Sequence, residues 1–165
     1  HLDNVSETGN EPVMETVDLL DVAKECVERQ KVNAKRSYIS LTYLGESAPV
    51  LGSRALLDEL CQNLCDNAIR YNRPGGKVQI ITACSRDGHC SLTVKDNGIG
   101  IPKEAQSSVF ERFYRVDKSR SKATGGTGLG LAIVKHIARI HNAKIKLESE
   151  IDEGTTITVI FETAH

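Results

Sequence analysis

The sequence predicts an α/β (α+β) two-layer sandwich, in which about three helices lie on one face of a mixed, mostly antiparallel sheet. Two observations support this class: three segments repeat apolar residues at helical spacing, and short β-prone runs bounded by turns stand between and after them. With 165 residues and 39% apolar content, the chain suffices for one domain with a sizeable core. We expect that domain at residues 13–165, after a polar tail or linker at residues 1–12.

The three helical segments each carry one apolar face. The first begins after Asp18, which can act as an N-cap, and its apolar residues recur through about Lys31. The second follows Ser53, another capping residue, and stops before the turn at residues 72–76. The third runs over residues 129–141 and follows a run of glycines.

Six short runs rich in β-branched and aromatic residues are predicted to be strands. They are residues 38–43, 49–51, 77–84, 90–96, 144–149 and 155–161. We expect residues 49–51 to be a short partner strand of 38–43, and each of the last two pairs to form a hairpin. Asp96 therefore stands at the end of a strand.

Charge and hydropathy exclude several classes of function. The formal net charge of −1, without a long basic run, argues against a general nucleic-acid binder or a membrane-surface protein. No apolar stretch approaches the roughly 18 residues of a spanning helix, and no signal-peptide pattern opens the chain. We therefore expect a cytoplasmic protein whose phosphate recognition, if any, is local.

The cysteines do not form a convincing disulfide framework. Their number is odd, and they are scattered over predicted helices and strands, which favours a reducing compartment. Cys61 and Cys65 are interpreted as small buried residues rather than as metal ligands, because no matching pair lies at zinc-ligand spacing. Cys84 and Cys90 flank a hairpin tip and can face each other, but a bond between them is the less favoured alternative.

The second helix carries a polar stripe that indicates nucleotide binding. Asn63, Asn67, Arg70 and Tyr71 follow one another at i, i+4, i+7 and i+8, so they share one helix face. Two amide carbonyls, a guanidinium and an aromatic ring suit a nucleotide bridged by a metal ion.

A second motif runs from Asp96 to Pro102, where a carboxylate precedes the spaced glycines Gly98 and Gly100. The carboxylate can accept a hydrogen bond from an exocyclic amine such as that of adenine, while glycines permit close backbone approach. Asp-Asn-Gly is also ordinary turn chemistry. Taken alone, the motif favours the tight turn.

A third motif, residues 125–131, is a glycine run that opens the last helix. Unpaired N–H groups at a helix start favour an anion, typically a phosphate. The alternative is a hinge, or a helix start packed closely on a sheet. The run is neither a Walker A loop, since no Gly-Lys-Ser/Thr follows, nor a dinucleotide fingerprint, since no strand directly precedes it.

Between these glycine motifs lies a basic segment without periodicity. Residues 110–122 hold five basic side chains against two acidic ones, a balance that suits a lid closing on a triphosphate. Solvated surface charge is the plainer interpretation. Phe110 and Phe113 are expected to anchor the segment by packing.

In their order and spacing, these motifs together resemble the catalytic and ATP-binding domain of sensor histidine kinases. That domain has the Bergerat ATP-binding fold of the GHKL superfamily, which also includes gyrase B, the 90 kDa heat-shock chaperone and MutL. The residues resembling the family's N box, first glycine box, F box and second glycine box are 59–71, 96–102, 110–115 and 126–131. The likeness covers roughly residues 17–161 and is nearest to orthodox membrane sensor kinases of the phosphate-sensing and cell-wall-sensing type.

The resemblance implies roles for the residues of the helix stripe and the base pocket. Asn67 would give a side-chain oxygen to Mg²⁺ and Asn63 would support the same site. Arg70 would reach a phosphate, Tyr71 would pack on the adenine ring, and Asp96 would bind the adenine amine.

It also implies how the rest of the nucleotide is held. Gly98, Gly100 and Ile101 would form the wall of the base pocket, and Thr155 would join a water network near the base. In the basic segment, Arg115 would approach the terminal phosphate and Lys118 would contact the nucleotide from the lid. The residues expected to hold the phosphates through the glycine run are Gly126, Thr127, Gly128, Leu129 and Gly130.

One departure inside the superfamily separates kinase from hydrolase chemistry. Its hydrolysing members carry a glutamate base four residues before the metal asparagine, and here that position is Asn63. An amide cannot take a proton from water, so transfer to another nucleophile is the expected reaction, with Asn63, Asn67 and Arg115 as the catalytic set. A gyrase-type ATPase switch and a degenerate nucleotide-binding module are the alternatives.

The phosphoacceptor is not found in the chain. None of its five histidines has the family's pattern of an acidic residue followed by a basic residue and proline. The expected acceptor is therefore a histidine on separate dimerisation helices of a membrane-anchored kinase, with a response regulator downstream. The fragment itself should be monomeric, bind Mg-ATP and not phosphorylate itself. His136 and His141, in the last helix or at its end, are interpreted as structural or solvent-facing.

Overall fold

The computed structural model describes residues 12–110 and 129–162; for Leu129 and Gly130 only the backbone is described. The helices and strands follow in chain order. They are β1 (Glu15–Asp18), α1 (Leu19–Arg36), β2 (Ser40–Gly45), β3 (Pro49–Gly52), α2 (Arg54–Arg70), β4 (Lys77–Cys84), β5 (His89–Asp96), a 3₁₀ turn (Lys103–Ala105), α3 (Leu129–Ile140), β6 (Lys144–Glu150) and β7 (Gly154–Glu162).

The main sheet has five strands in the order β2-β4-β5-β7-β6. β2 is parallel to β4, because β3 and α2 lie between them in the chain and carry it back across the sheet. All other neighbours in this sheet are antiparallel. The predicted mixed, mostly antiparallel sheet is confirmed.

The three helices cover one face of that sheet, as predicted. Along β4 and β5 every second residue is buried, which is the alternation expected of strands covered on one side. α2 lies between the other two helices and packs on both. Its fully buried Leu57, Leu60 and Leu64 each contribute about 1.5–3 kcal/mol by leaving water. None of the described helices is long and apolar enough to cross a membrane.

Both predicted N-caps are present. The carboxylate of Asp18 accepts the N–H of Leu20 at 3.0 Å, and the hydroxyl of Ser53 accepts the N–H of Leu56 at 3.3 Å. α1 continues five residues beyond the predicted end near Lys31, to Arg36. Its last turn has little apolar signal apart from the buried Ala34, but basic side chains there favour the helix C-terminus.

Two expectations about the first strands were wrong. β3 does not pair with β2; it pairs antiparallel with β1, a four-residue strand that the sequence did not reveal. β2 begins at Ser40 rather than at Tyr38, because Tyr38 has a φ of 59° and its N–H bonds to Lys35 at the end of α1. A four-residue strand is too short to show a clear alternation of apolar and polar residues. β1 is therefore recognised as a strand only from its pairing with β3.

The structure also corrects the preferred interpretation of two cysteines. Cys84 and Cys90 stand directly opposite each other in the β4–β5 register and form a disulfide, which was the less favoured alternative. The spacing in the sequence did not decide whether these two side chains face each other, and the pairing of the hairpin strands places them side by side. Cys26, Cys61 and Cys65 are buried free thiols, as expected.

His141 is a structural residue of the core. Its Nε2 accepts the backbone N–H of Ser53 at 3.1 Å, and its Nδ1 donates to the carbonyl of Ile137 at 2.8 Å. The ring meets Phe161 edge-on, with centroids 6.0 Å apart. Burial lowers the pKa of His141, which keeps the imidazole neutral and able to accept.

Candidate nucleotide site

A cleft with an empty volume of about 520 Å³ opens between α2 and the ends of β5 and β7. It brings together six of the residues singled out in the sequence from three separate parts of the chain. They are Asn67, Tyr71, Asp96, Gly100, Ile101 and Thr155. The remaining walls are apolar, so the few polar groups stand out as orienting contacts for a ligand.

The polar groups at the base of the cleft form one row across the sheet. In the strand register Asp96 lies opposite Thr155, and Thr155 lies opposite Ser149. The next row, towards the core, is apolar and includes Val94 and Ile157. This polar row therefore lies at the boundary between the apolar core and the cleft, on the helix-covered face of the sheet.

Asp96 is half-buried at the end of β5, and its carboxyl has the clearest shift in pKa among the described residues that line the cleft. Its Oδ1 accepts the backbone N–H groups of Gly98 at 2.8 Å and of Thr155 at 3.2 Å. Burial raises the pKa of Asp96 to about 6, and these two hydrogen bonds partly oppose the rise. Among the described residues none donates to Oδ2, so that oxygen can accept from a ligand.

The glycines of this motif meet the rest of the fold at close range. Gly100 has a φ of +76°, and a Cβ on it would lie 2.1 Å from the carbonyl oxygen of Glu150. A Cβ on Gly98 would lie 2.6 Å from the carbonyl oxygen of Tyr71. Gly98 therefore supports the loop from behind rather than lining the cleft. The tight turn and the pocket wall are both present in the same segment.

The polar contacts that hold this loop were missed by the sequence reasoning. Ser149 Oγ accepts the N–H of Ile101 at 2.8 Å. Gln106 Nε2 donates to the carbonyls of Ile101 and Ser149 at 3.0 and 3.1 Å. The predicted β6–β7 hairpin contained the signal for Ser149, because it places this serine opposite Thr155.

The two asparagines are oriented by the helix itself. The side-chain amide of Asn63 donates to the carbonyl of Glu59, and that of Asn67 donates to the carbonyl of Asn63, both at 2.9 Å. Each NH₂ group is thus used one turn back, and none of the described residues donates to either side-chain oxygen. Asn67 lines the cleft, whereas Asn63, one helical turn closer to the N-terminus of α2, does not.

Arg70 lies elsewhere than the stripe suggested. Its Nη2 forms an ion pair with Asp66 Oδ2 at 2.8 Å, and both side chains line a second surface cleft beside Tyr38. The physical reason is that position 70 is turned about 60° around the helix from Asn67, while Asp66 lies at the i−4 position. Its expected contact with a phosphate stays a prediction.

The remaining predicted contacts lie outside the described residues. They are Arg115, Lys118, Gly126, Thr127 and Gly128. Leu129 and Gly130 begin α3, and Leu131 in the same turn lines the cleft. The N-terminus of α3 is therefore next to the site.

Five apolar residues complete the cleft and were not assigned to it from the sequence. They are Leu64, Ala68, Ile99, Leu131 and Ile157. On a helix or strand, a side chain that lines a cleft and one that fills the core have the same periodicity. Only the gap between the elements in the folded structure distinguishes residues that line the cleft from residues that fill the core.

Comparison with known proteins decides the family. Residues 52–165 match the family model described as histidine kinase-, DNA gyrase B-, and HSP90-like ATPase. The chain belongs to this ATPase family. The model spans every element from the start of α2 to the end of the chain, and thus the whole cleft.

Within this ATPase family, the relatives are sensor histidine kinases, and the chain corresponds to their catalytic domain. It is 48% identical to the sensor-like histidine kinase SenX3 of Mycolicibacterium smegmatis over 90% of this chain and 38% of the relative. It is 38% identical to the sensor histidine kinase YkoH of Bacillus subtilis over 94% of this chain and 34% of the relative. The chain therefore spans little more than a third of the length of these relatives.

Solved structures show the same fold. The mycobacterial sensor histidine kinase MprB is 32% identical and superposes with a TM-score of 0.78, covering 91% of this chain and 97% of that one. Full-length ShkA in complex with AMPPNP is 23% identical and has a TM-score of 0.83, covering 99% of this chain and 34% of that one. These neighbours confirm the two-layer fold of a GHKL catalytic domain.

Proposed function

We propose that this domain binds Mg-ATP and donates the γ-phosphate to a histidine on a separate dimerisation and phosphoacceptor domain of a two-component sensor kinase. The observation that carries the proposal is the half-buried Asp96 carboxylate, which offers Oδ2 to a ligand in a mainly apolar cleft beside the start of α3. Such a group selects a hydrogen-bond donor on a flat apolar ligand, and the adenine ring with its amine has both properties.

The base would occupy the sheet end of the cleft. Asp96 Oδ2 accepts the exocyclic amine, and Tyr71 and Ile101 contact the ring. Gly100 lets this wall of the cleft lie directly against β6, because any side chain there would collide with the β6 backbone. Thr155 lies beside Asp96 and offers its hydroxyl oxygen to the polar edge of the base, either directly or within the expected water network.

The phosphates would extend along α2 towards the N-terminus of α3. The free side-chain oxygen of Asn67 suits Mg²⁺, a hard ion that takes one or two protein oxygens together with phosphates and waters. The ion supplies charge neutralisation across the phosphates when bound. The described residues contain no group of three or more His, Cys, Asp or Glu arranged around a metal position.

Further contacts to the phosphates are assigned to residues around this end. Asn63 supports the position of the metal site, and Arg70 reaches a phosphate after leaving Asp66. Arg115 and Lys118 approach from the basic segment. The backbone N–H groups of residues 126–130 hold the phosphate chain at the start of α3.

Transfer rather than hydrolysis follows from the side chains beside the metal position. Asn63 is an amide and cannot remove a proton from water. The domain then acts by positioning and charge neutralisation. In the transfer, the bond from the γ-phosphorus to the bridging oxygen of ADP breaks as a bond to an imidazole nitrogen of the acceptor forms.

The whole protein would extend beyond this chain in accordance with its relatives. Residues 1–12 are proposed as the end of a linker from the dimerisation helices, and residues 13–165 as the catalytic domain. The domain would work on the cytoplasmic side of a membrane-anchored kinase, as a monomeric unit, with a response regulator as the downstream partner and no nucleic acid.

The test mixes this chain, ATP and Mg²⁺ with separately produced dimerisation helices that carry the acceptor histidine. We expect acid-labile, base-stable phosphate on the helices and none on this chain. Helices with the histidine replaced by glutamine are the control. Steady ATP hydrolysis without transfer would instead support an ATPase switch, and absence of ATP binding would indicate a degenerate module.

A further inference from the structure

Ser149 has more polar contacts than any other side chain around the cleft, although it does not line it. Its Oγ lies 2.8 Å from the N–H nitrogen of Ile101, 3.0 Å from the carbonyl oxygen of Gly154 and 2.8 Å from Oγ1 of Thr155. A serine hydroxyl has one proton and two acceptor lone pairs. Three partners therefore use its complete hydrogen-bonding capacity.

The direction of each bond follows from the partners. Ile101 N–H can only donate, so it takes one lone pair of Ser149. The carbonyl of Gly154 can only accept, so it takes the single hydroxyl proton. One lone pair remains for Thr155, and Thr155 must therefore donate its own hydroxyl proton to Ser149.

The Thr155 hydroxyl can therefore act only as a hydrogen-bond acceptor towards the cleft. Its hydroxyl proton is held by Ser149, so its oxygen can only accept from a ligand or a water molecule. Its neighbour in the row, Asp96, is also an acceptor when ionised. The polar edge of the pocket thus presents two acceptors side by side.

We propose that Ser149 is a specificity-determining positioning residue, which holds the Thr155 hydroxyl as an acceptor and so selects purines with an amine at the six position over purines with a carbonyl there. The inference rests on the proposed function, since it concerns the base of the bound nucleotide. Adenine offers two N–H donors to this edge. Hypoxanthine and guanine offer an oxygen, which would face two acceptors and leave polar groups unpaired.

Other contacts near Ser149 hold the loop after β5 in place independently of the serine hydroxyl. Gln106 Nε2 bridges the carbonyls of Ile101 and Ser149, which ties the loop after β5 to β6. Asp152 N–H donates to the carbonyl of Ile99 at 2.9 Å and adds a second tie. The loop would therefore keep its place after a change at Ser149, and the altered property would be the rotation of the Thr155 hydroxyl.

The experiment compares the dissociation constants of ATP and ITP, which differ at the six position, by calorimetry at pH 8, where the Asp96 carboxyl with its pKa of about 6 is ionised. Wild type should prefer ATP. In Ser149→Ala the Thr155 hydroxyl can rotate and donate to the ITP oxygen, so the preference should fall by about two- to tenfold. Ser149→Thr keeps the hydroxyl and should restore it.

Two further variants separate this role from general damage to the fold. Thr155→Val removes the hydroxyl while leaving the N–H bond to Asp96, and it should also lower the preference, even if Ser149→Ala folds poorly. Ser91→Ala, at a half-buried serine on β5 away from the cleft, should leave the preference unchanged. An unaltered ATP-to-ITP ratio in folded Ser149→Ala or Thr155→Val overturns the inference. If wild type binds neither nucleotide, the proposed function fails first.

Discussion

The backbone N–H of Thr155 donates to Oδ1 of Asp96 across the β5–β7 pair, at 3.2 Å. The N–H of Gly98 donates to the same oxygen at 2.8 Å. One carboxylate oxygen thus holds the backbone of the fold, and none of the described residues donates to the other. In the proposed complex Asp96 would therefore be both a structural and a recognition residue, and its ionisation should affect binding.

Nucleotide affinity should fall in acid with a midpoint set by Asp96. Burial raises the pKa of this carboxyl to about 6, so the free protein takes up a proton as the pH drops through that value. In the proposed complex the amine of adenine binds the ionised form, so protonation would compete with binding. Affinity should be flat above about pH 7 and should drop towards tenfold per pH unit well below 6.

Calorimetric titration with ATP between pH 5 and pH 8 measures this profile. Asp96→Asn removes the titrating group and should flatten it, at lower affinity throughout. A wild-type profile that remains flat down to pH 5 would show that the Asp96 carboxylate is not the ligand's acceptor.

Asp96→Asn should weaken ATP far more than it weakens inorganic triphosphate. The asparagine amide would turn an N–H donor towards the adenine amine, or else lose its own backbone donors, and a bond to a charged group costs about tenfold or more when lost. Competition binding of the two ligands gives the comparison. Asp152→Asn, at an exposed carboxylate paired with Arg73, is the control and should change neither. Equal losses for both ligands would remove Asp96 from the base pocket.

Asn67→Ala should abolish Mg-dependent nucleotide binding while leaving the domain folded. The substitution removes the side-chain oxygen of a residue that lines the cleft, and the only intramolecular bond it breaks among the described residues is the amide contact to Asn63. Affinity for ATP with and without Mg²⁺, together with the circular dichroism spectrum, measures both parts. Asn33→Ala on the exposed side of α1 is the matched control. Unchanged Mg-dependence in Asn67→Ala would exclude the assigned metal ligand.

His141→Leu should lower the free energy of unfolding by about 1–3 kcal/mol, because the buried N–H of Ser53 loses its acceptor. The variant should also change the pH dependence of stability. Since burial lowers the pKa of His141, the folded state favours the neutral ring, and this contribution is present above the unfolded pKa of about 6.5 and is lost as the pH falls through the folded value. Urea denaturation at pH 7.5 and 5.5 should show a larger difference between wild type and variant at the higher pH.

The exposed histidine at the hairpin tip gives the control for this measurement. His89→Leu should leave the free energy of unfolding at pH 7.5 nearly unchanged, since the ring lies at the surface beside Asp87. A constant difference between wild type and His141→Leu at the two pH values would contradict the role given to the neutral ring.

Gly100→Ala should destabilise the domain by several kcal/mol more than Gly75→Ala. Both glycines have positive φ, at +76° and +87°, so both substitutions carry the cost of a left-handed backbone. Only at Gly100 does the new Cβ meet another atom, the carbonyl oxygen of Glu150, at 2.1 Å. Urea unfolding of the two variants isolates the collision. Equal losses would show that the loop moves away from β6 at little cost.

Much of the site was predictable where local rules decide it. The caps Asp18 and Ser53, the turn after α2 and the position of Asp96 at a strand end depend on residues only a few positions apart. The same holds for Asn67, whose orientation is set one helical turn away. Helix and hairpin patterns were sufficient for these because their hydrogen bonds join near neighbours.

Non-local pairing decided the parts that the sequence did not reveal. β1 is a strand only because β3 lies beside it. Ser149 acquires its role through Ile101, which is 48 residues away. None of these positions has an unusual neighbour in the chain, so no local pattern marks them.

By itself, the sequence determined the fold class and the family motifs, and it predicted the polar side chains of a nucleotide site, because periodicity and spacing specify which residues share a face. Only the tertiary structure decided that Asp96, Thr155 and Ser149 form one row across three strands, and in which direction their hydrogen bonds run. The physical reason is that strand register depends on the packing of the whole sheet, while hydrogen-bond direction depends on counting every partner of each group.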